Sequence, residues 1–160
     1  MGKVDARLKE LGIVLPRLPR PVANYVPAVK VGEILYVAGA IGTIVNENDE
    51  DVLTIKGKVG RDVTIEEAYR SARLVTINHL AYMKAVLGDL DQIVRIVKLI
   101  GYVNAAPGFN RAPVVINGAS DLLVEIFGKE RGAHARAALY QNEMTRDAPV
   151  EIEMTVQVVP

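Results

Sequence analysis

An arginine near the carboxyl end is the first residue in this sequence whose surroundings suggest chemistry. Arg136 lies within residues 132–139, where most neighbouring side chains are small or apolar. A guanidinium in such surroundings needs an anionic partner, because burying it unpaired is costly. That partner could be a carboxylate of the chain itself, such as Glu151, or the arginine could lie at a solvated strand edge. Alternatively, its planar fork could bind the carboxylate of a ligand through two hydrogen bonds.

Two carboxylates in the last segment are the next candidates. Glu151 and Glu153 alternate with apolar residues over positions 150–158, which predicts a strand with both carboxylates on one face. Either that face is simply solvated, or one carboxylate positions a water molecule or moves a proton. His134 lies two residues before Arg136, so the two side chains should point to the same side of a strand.

Residues 117–120 are expected to open a helix that spans about 118–127. Asn117 would be its N-cap, although the first amides of the helix could instead bind an anion. Ser120 has no base near it in the sequence and lacks a nucleophile-elbow pattern, so it is not indicated as a nucleophile. His79 falls in the apolar stripe of a longer helix, where we expect a core or interface histidine.

The elements that must position these residues follow from capping and periodicity. Thr64 and Glu67 form a capping box that predicts a helix ending at about Leu87. The β-branched residues of 92–104 favour a strand over a helix there. The remaining predicted elements are a helix at 4–11, strands at 25–31, 34–41, 52–58, 135–141 and 150–158, and loops at 46–51 and 105–113. Together they predict an α+β fold with two main helices on one sheet face.

Composition limits the possible functions. The 160 residues, half of them hydrophobic, predict a single domain over 1–160, including an N-terminal helical extension of about 1–21. Nineteen basic residues balance nineteen acidic ones, so we expect no nucleic-acid partner. Cysteine is absent, which excludes disulfides and thiolate chemistry. No signal peptide or membrane span is visible, and we therefore expect a cytoplasmic protein without a membrane partner.

The segment 135–139, followed by 150–153, carries a recognisable spacing between Arg136 and Glu151. This pattern resembles the C-terminal signature of the RidA/YjgF family of imine deaminases. Earlier segments occur in the order of that family, namely 24–26, 35–41, 86–95, 97–103 and Asn117. The similarity covers about 25–158. The N-terminal extension and the longer loop at 105–116 are typical of a longer, divergent branch.

The resemblance implies a chorismate-mutase-like α+β fold of the bacillus type, with a mixed sheet. It also implies a homotrimer with ligand clefts between subunits, which hydrolyses reactive 2-imino or enamine acids to 2-keto acids and ammonia without a cofactor or metal. Carried over by residue, Arg136 would hold the substrate carboxylate and Glu151 would orient the attacking water. The other substrate-binding positions would be the backbones of Gly39 and Ala138, Asn117 at the rim, and Tyr25 closing the pocket.

Three positions depart from the family pattern. Ala38 stands where the family has serine or threonine, Ala40 where it has glutamine, and His134 where it has proline. These changes make the pocket more apolar. An alternative is therefore a non-catalytic trimer of the same fold that binds small carboxylates or has a regulatory role. RNA cleavage, a role attached to some relatives, is disfavoured by the zero net charge and the few aromatic residues.

Overall fold

The computed structural model describes residues 2–18 and 24–160. Its long elements are three helices and seven strands: α1 (Lys3–Glu10), β1 (Ala28–Val31), β2 (Ile34–Ile41), β3 (Thr43–Val45), β4 (Asp51–Leu53), α2 (Ile65–Leu87), β5 (Ile93–Asn104), α3 (Ala112–Gly132), β6 (Ala135–Gln141) and β7 (Val150–Val158).

The main sheet has five strands in the order β1-β2-β7-β5-β6, and β3 and β4 form a separate antiparallel pair. Only β5 and β6 run parallel within the main sheet, because α3 carries the chain back between them. The sheet is therefore mixed. The α+β, chorismate-mutase-like class predicted from the sequence is confirmed.

One face of this sheet carries the core. The helices α2 and α3 pack against each other and against the sheet. Strand β7 alternates fully: Val150, Ile152 and Val156 are completely buried, whereas Glu151 and Glu153 point to the opposite side. We call that opposite side the open face, since Tyr36 on neighbouring β2 is 54% exposed there.

Helix α2 forms where its capping box predicts. The Thr64 hydroxyl accepts from the Glu67 amide at 3.2 Å, and the Glu67 carboxylate accepts from the Thr64 amide at 2.8 Å. Gly88 ends the helix with a φ of 81°, a conformation that favours glycine. His79 is fully buried in the core, as expected.

Helix α3 begins at Ala112, six residues before the predicted start. Pro113 looks like a loop residue, but a helix tolerates proline in its first turn because the amides there have no intrahelical acceptor. Asn117 is therefore inside the helix: the predictions of an N-cap there and of an anion site at its amides are wrong. Gly128, the predicted end, is a kink with a φ of 75°, and the helix continues to Gly132.

Other boundaries shift as well. Strand β1 starts at Ala28, so Tyr25 precedes it instead of lying within it. The strand expected at 52–58 is reduced to the short β4, which pairs with β3. The acidic loop between them is ordered by Asn46, whose Oδ1 accepts from the amides of Asn48 and Glu50, both at 2.9 Å. Parts of the predicted N-terminal extension, namely residue 1 and residues 19–21, lie outside the described residues.

Candidate functional site

Arg136 points toward the helices. In the parallel pairing it lies opposite Leu99, which is fully buried, and paired residues share a sheet face. The half-buried guanidinium therefore reaches α3. Its Nη1 donates to Asn117 Oδ1 at 2.8 Å and to Ser120 Oγ at 3.1 Å, and its Nη2 donates to the carbonyl of Pro113 at 3.3 Å.

All three of these acceptors are neutral. Among residues 2–18 and 24–160, no carboxylate lies within ion-pair distance of Arg136, so the alternative of an ion pair with Glu151 is wrong. Arginine has five N–H donors. With three engaged, the Nε hydrogen and one Nη2 hydrogen have no acceptor in the described chain. Two neighbouring N–H groups of this kind match the two oxygens of a carboxylate.

Ser120 has a base beside it in the fold, although none lies near it in the sequence. His134 Nε2 lies 3.0 Å from Ser120 Oγ, and His134 Nδ1 lies 2.7 Å from the carbonyl oxygen of Gly132. Burial lowers the pKa of His134, and the nearby charge of Arg136 lowers it further, against the opposing effect of the Gly132 hydrogen bond. The imidazole is therefore neutral at pH 7. Sequence reasoning missed this contact because 14 residues separate the two positions.

Glu151 lies on the open face, where it is half-buried between Ile41 of β2 and Tyr102 of β5. Its carboxylate makes no hydrogen bond or ion pair with any residue that the structure describes. Burial raises the pKa of Glu151, and repulsion from Glu153 adds to the effect. Gly39 makes room for this carboxylate, since a Cβ at position 39 would overlap it.

A bulge in β2 positions Gly39. The register with β7 shifts between Val37 and Ala40, so two residues lie where regular pairing would have one. Behind the bulge, His79 Nε2 donates to the carbonyl of Ala38 at 3.0 Å. Burial lowers the pKa of His79 to about 4, so this histidine is a neutral donor that fixes the bulge from the core side.

The six predicted site residues fall into separate groups. Asn117 contacts Arg136 directly, and Ala138 lies two residues farther along the same side of β6, opposite Gly101. Gly39 and Glu151 adjoin each other on the open face. Tyr25 lies just before β1, at the other edge of the sheet, and is 55% exposed.

Within a single chain these groups of residues do not come into contact. Arg136 and Glu151 lie on opposite faces, and their strands are separated by β5, a lateral distance of about 10 Å at ordinary strand spacing. A concavity of about 320 Å³ on the open face includes neither residue and is lined by Val26, Val29, Tyr36, Val37, Ala38, Lys98, Ile100, Glu153, Met154 and Thr155.

The described residues contain neither a metal-binding cluster nor a membrane-spanning helix. No group of three or more histidine, aspartate or glutamate side chains there is close enough to hold a metal ion. No helix in that part of the chain is both long and apolar enough to cross a membrane.

Comparisons with known proteins place this fold in a family. A family model described as "YjgF/chorismate_mutase-like, putative endoribonuclease" matches residues 5–151. Protein TCP17 of Trypanosoma cruzi is 38% identical over 157 residues, which cover 98% of this chain and 95% of that protein.

Two solved structures agree with this result. Protein Atu1372 of Agrobacterium tumefaciens, of unknown function, is 41% identical with a TM-score of 0.85, over 98% of this chain and 93% of that one. A Shewanella oneidensis MR-1 protein that carries the same endoribonuclease designation is 30% identical with a TM-score of 0.90, over 98% and 100%. By sequence and by fold, the chain belongs to the RidA/YjgF family.

Proposed function

We propose that this protein hydrolyses 2-imino acids to 2-keto acids and ammonia, in the cytoplasm, at sites shared between the subunits of a homotrimer. The observation that carries the proposal is the state of Arg136. Its guanidinium is half-buried, is held by three neutral acceptors and has two adjacent N–H groups without an acceptor in the described chain. A substrate carboxylate would supply both the missing charge and the missing acceptors.

The chemistry requires little beyond positioning, because the carbon of a protonated imine is already electrophilic. Water adds to this carbon, a C–O bond forms, and Glu151 takes one water proton to give a carbinolamine. Glu151 then returns the proton to nitrogen, the C–N bond breaks, and the departing ammonia takes up the hydroxyl proton as the carbonyl forms. The products are a 2-keto acid and an ammonium ion. The raised pKa of Glu151 supports its role as the proton acceptor.

A second copy is needed to bring the groups together. Arg136 is on edge strand β6, Tyr25 precedes the other edge strand, and Glu151 is on the open face. That face exposes apolar side chains, including Val29 at 47% and Tyr36 at 54%, which burial against another copy would stabilise. In the proposed trimer, Arg136 of one subunit faces Tyr25, Gly39 and Glu151 of its neighbour.

Activity is tested by generating 2-imino acids in place from several amino acids with an amino-acid oxidase and following their loss by semicarbazide trapping. The protein should accelerate imine loss, and Arg136→Met and Glu151→Gln should not. Arg70→Met, at an exposed arginine of α2, is the matched control and should behave as wild type. No acceleration with any amino acid would refute the enzymatic proposal.

Subunit sharing has its own test. Sedimentation should give three times the chain mass of 17.4 kDa. Inactive Arg136→Met and Glu151→Gln proteins, unfolded and refolded together, should form mixed trimers that regain part of the activity, since some sites then combine two intact residues. Mixtures that stay inactive would place both residues of a site on one chain.

A non-catalytic carboxylate-binding trimer is the second candidate, and Ala38 favours it. At the bulge beside Gly39 and Glu151, Ala38 contributes only backbone polar groups, so the open-face group contains few side chains that could bind a substrate. Calorimetry with 2-keto acids separates the two candidates. Binding that Arg136→Met abolishes, without turnover of any imine, would support this second candidate.

A further inference from the structure

We infer that Ser120 and His134 are positioning residues that aim Arg136 at the ligand carboxylate, an inference that rests on the proposed function. They do so through a chain of hydrogen bonds from the carbonyl of Gly132 through His134 and Ser120 to the guanidinium. This series of hydrogen bonds is not part of the family pattern, because His134 stands at a position where the family has proline.

The direction of each hydrogen bond follows from the available hydrogens. The carbonyl of Gly132 can only accept, so His134 Nδ1 carries a hydrogen and donates it over 2.7 Å. A neutral imidazole then has its lone pair on Nε2. The Ser120 hydroxyl, 3.0 Å away, has one hydrogen and must donate it to that lone pair.

This leaves Ser120 Oγ as a pure acceptor toward Arg136. One Nη1 hydrogen is donated to it over 3.1 Å, and the other is donated to Asn117 Oδ1 over 2.8 Å. Because both Nη1 hydrogens are engaged, the guanidinium plane is fixed and Nη1 is not available to a ligand. The donors that remain are those of Nε and Nη2, which lie side by side at the other edge of the group.

Removing either partner should loosen this arrangement. Without the imidazole, the Ser120 hydroxyl can rotate so that its hydrogen points at an Nη1 hydrogen of Arg136 and repels it. Without the serine oxygen, one Nη1 hydrogen lacks an acceptor and competes for the ligand in a different orientation. In both cases the carboxylate is still attracted by the charge, but it is held less firmly and at a wrong angle.

The first test is calorimetry with 2-oxobutanoate on the intact trimer, with paired variants. Ser120→Ala and His134→Leu should each weaken binding roughly 3- to 12-fold, the range for one lost hydrogen bond. Ser120→Thr retains the hydroxyl and His134→Gln retains an acceptor near Nε2, so both should stay within roughly 2-fold of wild type. The inference is wrong if Ser120→Ala and His134→Leu bind 2-oxobutanoate as tightly as wild type. It is also wrong if Ser120→Thr and His134→Gln lose as much affinity as the other two variants.

Double variants separate positioning from a general loss of structure. The Ser120→Ala/His134→Leu protein should bind no worse than either single variant, because both act through one chain of bonds. In the Arg136→Met background, neither substitution should change binding further. Additive losses, or losses that persist without Arg136, would show that the two residues act elsewhere in the protein.

A ligand-independent measurement keeps this inference distinct from the proposed function. Nitrogen NMR of the His134 ring should show the hydrogen on Nδ1, and Arg136→Met should raise the His134 pKa by removing a nearby positive charge. A hydrogen on Nε2 would overturn the inference even if 2-oxobutanoate binds. The expected NMR result without binding of any 2-keto acid would instead refute the proposed function, and the positioning role with it.

Discussion

The two parts of the candidate site differ in how far a single chain completes them. The arginine cluster, formed by Asn117, Ser120, His134 and Arg136, is connected internally by hydrogen bonds of 2.8–3.1 Å. The glutamate cluster, formed by Gly39 and Glu151, is a carboxylate beside a glycine on the open face, without a hydrogen-bond partner among the described residues.

The difference has a physical origin. A guanidinium can be oriented by neutral acceptors, and helix α3 supplies all three of those around Arg136. The carboxylate lies where no described helix covers the sheet, so its surroundings are left for another molecule to complete. A single chain thus completes the surroundings of Arg136 and leaves those of Glu151 open.

The largest effect that we predict is on the glutamate cluster. Glu151→Gln should lower kcat for imine hydrolysis roughly 100- to 10,000-fold, the range for removal of a general base. Binding of 2-oxobutanoate should change little, because Arg136 is intact. In wild type, the acidic limb of kcat/KM should titrate above the ordinary glutamate pKa of 4.5, since burial and Glu153 raise the pKa of Glu151.

If this variant instead lost affinity and kept its kcat, Glu151 would belong to binding, and the contrast between the two clusters would disappear. Glu130→Gln, at an exposed glutamate of α3, provides the control and should leave both quantities unchanged.

The arginine cluster should respond in the opposite way. Arg136→Met should weaken 2-oxobutanoate binding roughly 10- to 150-fold, because a charge-assisted hydrogen bond contributes about 1.5–3 kcal/mol. Calorimetry measures this loss directly. Retained affinity in Arg136→Met would mean that the carboxylate binds elsewhere.

A smaller effect is expected at Gly39. In Gly39→Ala the new Cβ would overlap the Glu151 carboxylate, which must move aside. A displacement of about 1 Å can cost up to about 100-fold in rate, and since the side chain can partly adjust we expect roughly a tenfold loss of kcat. In the Glu151→Gln background the same substitution should have little further effect. If Gly39→Ala lowered kcat by the same factor in the Glu151→Gln background, the substitution would be acting by disrupting the sheet.

The last prediction concerns stability instead of activity, at His79, which supports the bulge from the core side. Its folded pKa of about 4 lies below the ordinary 6.5, so between these values the unfolded chain binds more protons than the folded one. The free energy of unfolding should therefore fall as the pH drops through this window, by an amount on the order of 3 kcal/mol from this group. At pH 7 the group is largely neutral in both states and contributes little such dependence.

Denaturant titrations at several pH values from 7 to 4 test this, with His79→Gln for comparison. Glutamine does not titrate, so this variant should lose stability less steeply on acidification. If the free energy of unfolding depended on pH equally in the two proteins, the pKa of His79 in the folded state would not be lowered.

Local signals in the sequence were sufficient for several elements. The capping box at Thr64 and Glu67 and the strict alternation of β7 each depend on residues a few positions apart, so α2 and β7 follow from the sequence. The start of α3 does not, because Pro113 is compatible with a loop as well as with a first helical turn.

The candidate site divides in the same way. The residue types and the spacing of Arg136 and Glu151 are readable in the sequence, and so is the need for an acceptor around a guanidinium among small residues. The contact between Ser120 and His134 is not readable, because it forms only when α3 ends at Gly132 and the chain turns into β6.

By itself, then, the sequence determined the positions of α2, β5 and β7, and which side chains of β7 share a face. Only the tertiary structure decided that Arg136 faces the helices while Glu151 faces away from them. The reason is strand register: Arg136 lies opposite the buried Leu99, and a shift of one residue in this pairing would have turned it to the open face.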